Sequence, residues 1–97
     1  MKIENSELQT SFEVPDKPTV RDVLRYDGAV DALQGSDLYE RLWSGVAVMA
    51  SDWQSERVAL DADLGELHDM GAVDVIKWAG LVVFSHVQQL KRTPKNS

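Results

Sequence analysis

VIKWAGLVVFSHVQQL, Val75 to Leu90, holds the densest apolar run in the chain, ten residues to Phe84 broken only by Lys77. Ile76, Ala79, Gly80, Val83, Val87 and Leu90 recur at spacings of three, one, three, four and three, which is a helical stripe. Trp78, Leu81, Val82 and Phe84 lie off that stripe, so most of the circumference is apolar, as in a helix buried among others. The competing reading is a strand over LVVF, Leu81 to Phe84, whose residues favour sheet. Length favours helix, since strands rarely run to sixteen residues. A membrane span needs about twenty apolar residues, and Lys77, His86 and the two glutamines interrupt the run too early. It reads as a core helix.

Working outward, the other elements are read as helices that pack against this one. Thr19-Val20-Arg21-Asp22 matches a capping box. Val20, Val23, Leu24, Val30 and Leu33 then share a face, with Gly35 as the stop. Ser36 or Asp37 caps a second helix, in which Leu38, Leu42, Val46, Met49 and Trp53 step by four, four, three and four. Trp43, Ala47 and Ala50 widen that stripe, and Gly45 with Ala47 offers a close approach at its middle. Residues 57–60 read as a short extended crossing, and Asp63 with Glu66 as the cap of a brief helix reaching Met70. Lys91, Arg92 and Lys95 follow the last helix, and Pro94 stops it.

Residues 1–18 are mostly polar, with Leu8, Phe12 and Val14 as the apolar points, and Pro15 and Pro18 break any continuous element. They read as an extended N-terminal arm. The expected architecture is therefore all-α: a single-domain helical bundle of three main helices plus a short one. The helical domain spans 19–92, the arm 1–18 and a flexible tail 93–97. The main helices are expected near Thr19 to Gln34, Asp37 to Trp53 and Ala72 to Arg92.

The chain has 97 residues, enough for one core. Without cysteine it makes neither disulfides nor thiolate metal sites. MKIENSELQT lacks the apolar stretch of a signal peptide, which with the missing span places the protein in the cytoplasm. A net charge of −6 speaks against nucleic acid as a partner, because a phosphate binder presents a basic face. It keeps open a DNA mimic that sets its carboxylates in a partner's basic groove.

Catalytic and metal-binding patterns fail when checked residue by residue. Counted from Asp61, the sixth and twelfth positions of an EF-hand would be Glu66 and Ala72, where glycine and a bidentate acid are required. His68 and His86 are too far apart for a metal pair. Ser85 beside His86 points about 100° away from it on a helix. Neither a phosphate loop nor a nucleophile elbow is present. The reading is no enzyme, no cofactor and no metal. The candidate partner-binding residues are Tyr39, Trp43, Asp61, Asp63 and Glu66: an aromatic pair that anchors a partner, and the carboxylates of a stretch from Leu60 to Ile76 without a base.

VPDKPTVRDVLRYD, LYERLW, the tryptophan of SDW, and VIKWAGLVVFS with its PKN ending together resemble the tail assembly chaperones of long-tailed bacteriophages. The resemblance runs from Pro15 to Asn96 and contains no chemical motif. It implies a helical, non-enzymatic morphogenesis protein of the infected cell's cytoplasm. Such a protein coats the tape-measure protein, recruits tail-tube subunits and tends to self-associate as a homo-oligomer. It also implies two product lengths made by ribosomal slippage. Pro94-Lys95-Asn96 can be encoded as CCA-AAA-AAC, which contains a slippery heptamer. The alternative from another class is an acidic phage inhibitor that mimics DNA on a host nucleic-acid enzyme.

Overall fold

The computed structural model describes residues 1–32, 38–60 and 72–92. It corrects the all-α expectation. Among the described residues, three helices pack with a three-stranded antiparallel sheet, giving a mixed α+β fold. The elements run β1 (Lys2–Asn5), β2 (Thr10–Glu13), α1 (Val20–Asp31), α2 (Leu38–Met49), β3 (Ser51–Ser55) and α3 (Val73–Arg92).

The presumed arm is a β-hairpin. Lys2 pairs with Glu13, Ile3 with Phe12, Glu4 with Ser11 and Asn5 with Thr10. Its loop closes through the Leu8 N–H, which donates to Asn5 Oδ1 at 3.2 Å, and through Gln9 in the left-handed region at φ 54°. Thr10, Phe12 and Val14 are buried at alternate positions. The polar residues between them, which suggested an extended arm, are the outward face of a strand.

The second correction concerns Trp53. Helix α2 ends at Met49, and Trp53 lies on β3. The four-residue step from Met49 that suggested a continuing helix is coincidental. Between the pairs Ser11–Gln54 and Glu13–Ser51, both Asp52 and Trp53 stand opposite Phe12, a β-bulge with Asp52 at φ 49°. The extra residue turns the Trp53 ring inward. It stacks on Phe12 at 5.4 Å between centroids and meets Trp43 edge-on at 5.4 Å, while Trp78 meets Phe12 edge-on at 5.6 Å. Four rings thus join α2, β3, β2 and α3 in one row. The Trp53 Nε1–H donates to the Val58 carbonyl at 2.8 Å, so its polar end is satisfied inside.

Helix α1 begins where its sequence says, while the cap expected for α2 at Ser36 or Asp37 lies outside the described residues. Thr19 caps α1, with its Oγ1 accepting from the Asp22 N–H (3.2 Å) and the Asp22 carboxylate accepting from the Thr19 N–H (2.9 Å). The stripes expected on α2 and α3 are largely buried, but the face of α1 and the enclosure of α3 differ from expectation. On α1, Tyr26 is the buried residue, and Val20 and Leu24 point to solvent. Tyr26 lies against Gly45 of α2, where an added Cβ would stand 2.5 Å from the ring. Burial pushes the Tyr26 phenol up, and the neighbouring Asp27 adds to the effect. Helix α3 buries Val75, Ile76, Ala79, Val83 and Val87 and brings Gly80 against Leu42, where a Cβ would sit 2.5 Å from the Leu42 Cβ. It is not enclosed all round, since Leu81 and Phe84 face outward. The short helix expected after Asp63, the stop at Gly35 and the tail 93–97 lie outside the described residues.

Candidate protein-binding surface

Of the five residues singled out from sequence, the structure describes two. Tyr39 is exposed in the first turn of α2. Trp43, one turn further, is 2% exposed and fills the core against Trp53, so it offers a partner no anchor. Asp61, Asp63 and Glu66 lie outside the described residues. Asp74, the last acid of that stretch, is met by a base. Arg57 grips it with two nitrogens at 3.0 and 3.2 Å.

That fork of hydrogen bonds holds the Asp74 carboxyl below its usual value; partial desolvation opposes the shift, and the Val75 N–H at 2.9 Å assists it. A depressed carboxyl contributes stability above its unfolded value of about 3.9 and loses it as pH falls through the lower folded value. Asp74→Asn is therefore expected to melt slightly below the parent near neutrality. The two melting profiles should converge as the medium is acidified through the carboxylate range. The effect is small because the pair is exposed. A constant gap at all pH values would show that Asp74 acts by packing alone.

His86, the described imidazole, bonds the Pro15 carbonyl through Nε2 at 2.8 Å. It ties the segment after the hairpin to α3 across 71 positions of sequence. Ser85 beside it is exposed and does not share that contact. Among the described residues, no three histidines or acids gather where they could hold a metal ion. No described helix is long and apolar enough to cross a membrane.

What the structure brings to the surface is apolar and helical. Val20 and Leu24, one turn apart on α1, are 77% and 64% exposed. Along α3, Val73, Lys77, Leu81, Phe84 and Gln88 follow at spacings of four, four, three and four, and so share the line away from the core. Leu81 and Phe84 on that line are 45% and 44% exposed. Leu38, beside Tyr39 at the start of α2, is also exposed. Sequence reasoning placed Leu24 and Phe84 in the core. The signal for the outer line was the polar pair Lys77 and Gln88, which share it with Leu81. A concavity of about 700 Å³ on the sheet is lined by polar side chains, Glu4, Gln9, Ser11, Gln54 and Glu56 among them. Comparison with protein families, with characterised proteins and with solved structures finds no match to this chain.

Proposed function

We propose that the protein is a non-enzymatic binder of other proteins, and specifically a tail assembly chaperone acting on tape-measure and tail-tube proteins in the cytoplasm of an infected cell. The observation that carries the reading is the set of large apolar side chains left outward on α1 and α3. A domain of this size has little reason to leave leucine and phenylalanine in rows at helical spacing unless another apolar surface covers them. A long helical client offers matching rows, which dock as one amphipathic helix against another.

The test is binding of the purified chain to helical fragments of the tape-measure protein. Leu24→Glu and Leu81→Glu place a charge on each outward row without entering the core. Together they are expected to weaken the complex about tenfold or more, with the melting temperature unchanged. Wild-type affinity in the double variant would remove the apolar rows from the interface. A complex formed instead with a basic nucleic-acid enzyme, and lost steeply as salt rises, would favour the DNA mimic. The gene gives a second check. A slippery heptamer at Pro94-Lys95-Asn96 with an open overlapping frame supports the chaperone, and codons that do not slip count against it.

A further inference from the structure

The two edges of the sheet are unlike. Edge strand β3 is broken by the bulge at Asp52 and Trp53, which irregularly twists it. Edge strand β1 is regular over all four residues, and among the described residues no segment pairs with its outer side. Which of its groups are free follows from the ladder. The Met1 nitrogen donates to the Val14 carbonyl at 2.9 Å and the Val14 N–H to the Met1 carbonyl at 3.0 Å, so these two residues form a hydrogen-bonded pair. Hydrogen-bonded pairs alternate along an antiparallel ladder, which turns the backbone of Ile3 toward β2. The N–H and C=O groups of Lys2 and Glu4 then point away from the sheet.

From this the geometry points to an interface in which β1 pairs antiparallel with β1 of a second copy, on a two-fold axis through Ile3. In that register Lys2 of each chain faces Glu4 of the other. The residues whose backbone groups are free are thereby the residues that meet, making four interchain hydrogen bonds. Their side chains form two opposite-charge pairs on the exposed face, a favourable cross-strand arrangement. A two-fold axis through Lys2 or through Glu4 would set like charges against each other. Charges on an edge ordinarily discourage pairing, and here the two-fold turns the same charges into a lock for a single register. Within one chain Lys2 and Glu4 are only 3.9 Å apart and largely exposed, so they are free to turn to new partners. Four residues a side bury little area, which makes the contact weak and concentration-dependent. The inference is independent of what the helices bind.

Sedimentation of the untagged full chain over a range of concentrations tests it. Wild type is expected to dimerise reversibly. Lys2→Glu and Glu4→Lys, each introducing two like-charge contacts per dimer, should each weaken the dimer about tenfold or more. Mixing the two variants should restore it, because each strand of the mixed pair opposes glutamates to lysines. Glu4→Pro removes an outward N–H without touching the β2 ladder, and should abolish the dimer while leaving the melting curve near wild type. A monomer at every concentration overturns the proposal. So does a dimer indifferent to these variants, which would place the contact on another surface such as the outward rows of α1 and α3.

Discussion

Val83→Asp is expected to leave the chain without a cooperative melting transition. Val83 is buried at the middle of α3, in the same core cluster as Val46 and Met49 of α2 and Ile76, Ala79 and Val87 of its own helix. An aspartate there would stand in an apolar cluster, and an unpaired buried charge costs several kcal/mol. A small domain has roughly 5 to 15 kcal/mol to lose. Far-UV circular dichroism during heating decides the matter. A wild-type curve in the variant would mean that α3 is not the helix around which the other elements are packed.

Phe12→Ala is expected to destabilise by about 3 to 5 kcal/mol, the range for removing a buried aromatic ring. Phe12 is fully buried, and its ring is the one that both Trp53 and Trp78 touch. Tryptophan fluorescence in a denaturant titration therefore reports the loss directly. Ser11→Ala, one residue away on the opposite face of β2, is the control and should shift stability by no more than about 0.5 kcal/mol. The pair of variants separates two pictures of the N-terminus. In an extended arm both are harmless; in a hairpin built into the core only the control is. Equal, small effects would return the hairpin to the status of an appendage.

The helices were legible because each repeats its apolar spacing over three turns or more. A pattern of that length outlasts local accidents, and the capping box at Thr19 and Asp22 marked one boundary to the residue. The strands were not legible, for a definite reason. Each is four or five residues long, and β1 and β3 each half-bury only two side chains, Ile3 and Asn5 on the one and Trp53 and Ser55 on the other. A single large ring, Phe12, does most of the hairpin's burial, and one residue has no period. Trp53 misled for the opposite reason: it continued a helical spacing across a break set by the backbone turn at Asp52, which no side-chain pattern announces. The misplacement of Trp43 followed from this. Its neighbour in the core is a tryptophan from a strand that the helical reading did not contain, so a buried ring was taken for a surface anchor. Leu81 and Phe84 were misread because periodicity tells which residues lie on one face but not how many neighbours a helix has. A bundle would have covered them; a sheet on one side and α2 on another leave the third side bare.

The aromatic row also fixes an order of events on the ribosome. Thr10 pairs with Ser55, 45 positions on, through hydroxyls 2.8 Å apart. The Thr10 hydroxyl also reaches the Leu8 carbonyl, so the shared proton comes from Ser55. Helices α1 and α2 are near neighbours and can meet early, as local contacts do. The hairpin can close early too, but it then holds Phe12 against nothing. Synthesis must pass Trp53 before one side of that ring is covered, and must complete the first turns of α3 before Trp78 covers the other. Until Trp53 emerges the nascent chain carries an exposed phenylalanine on a hairpin whose β2 edge has no partner, while Trp43 awaits the same tryptophan. A second nascent chain nearby presents the same surface. Dense polysomes on this message are where misassembly would begin, and a slowly translated α3 would lengthen the exposure.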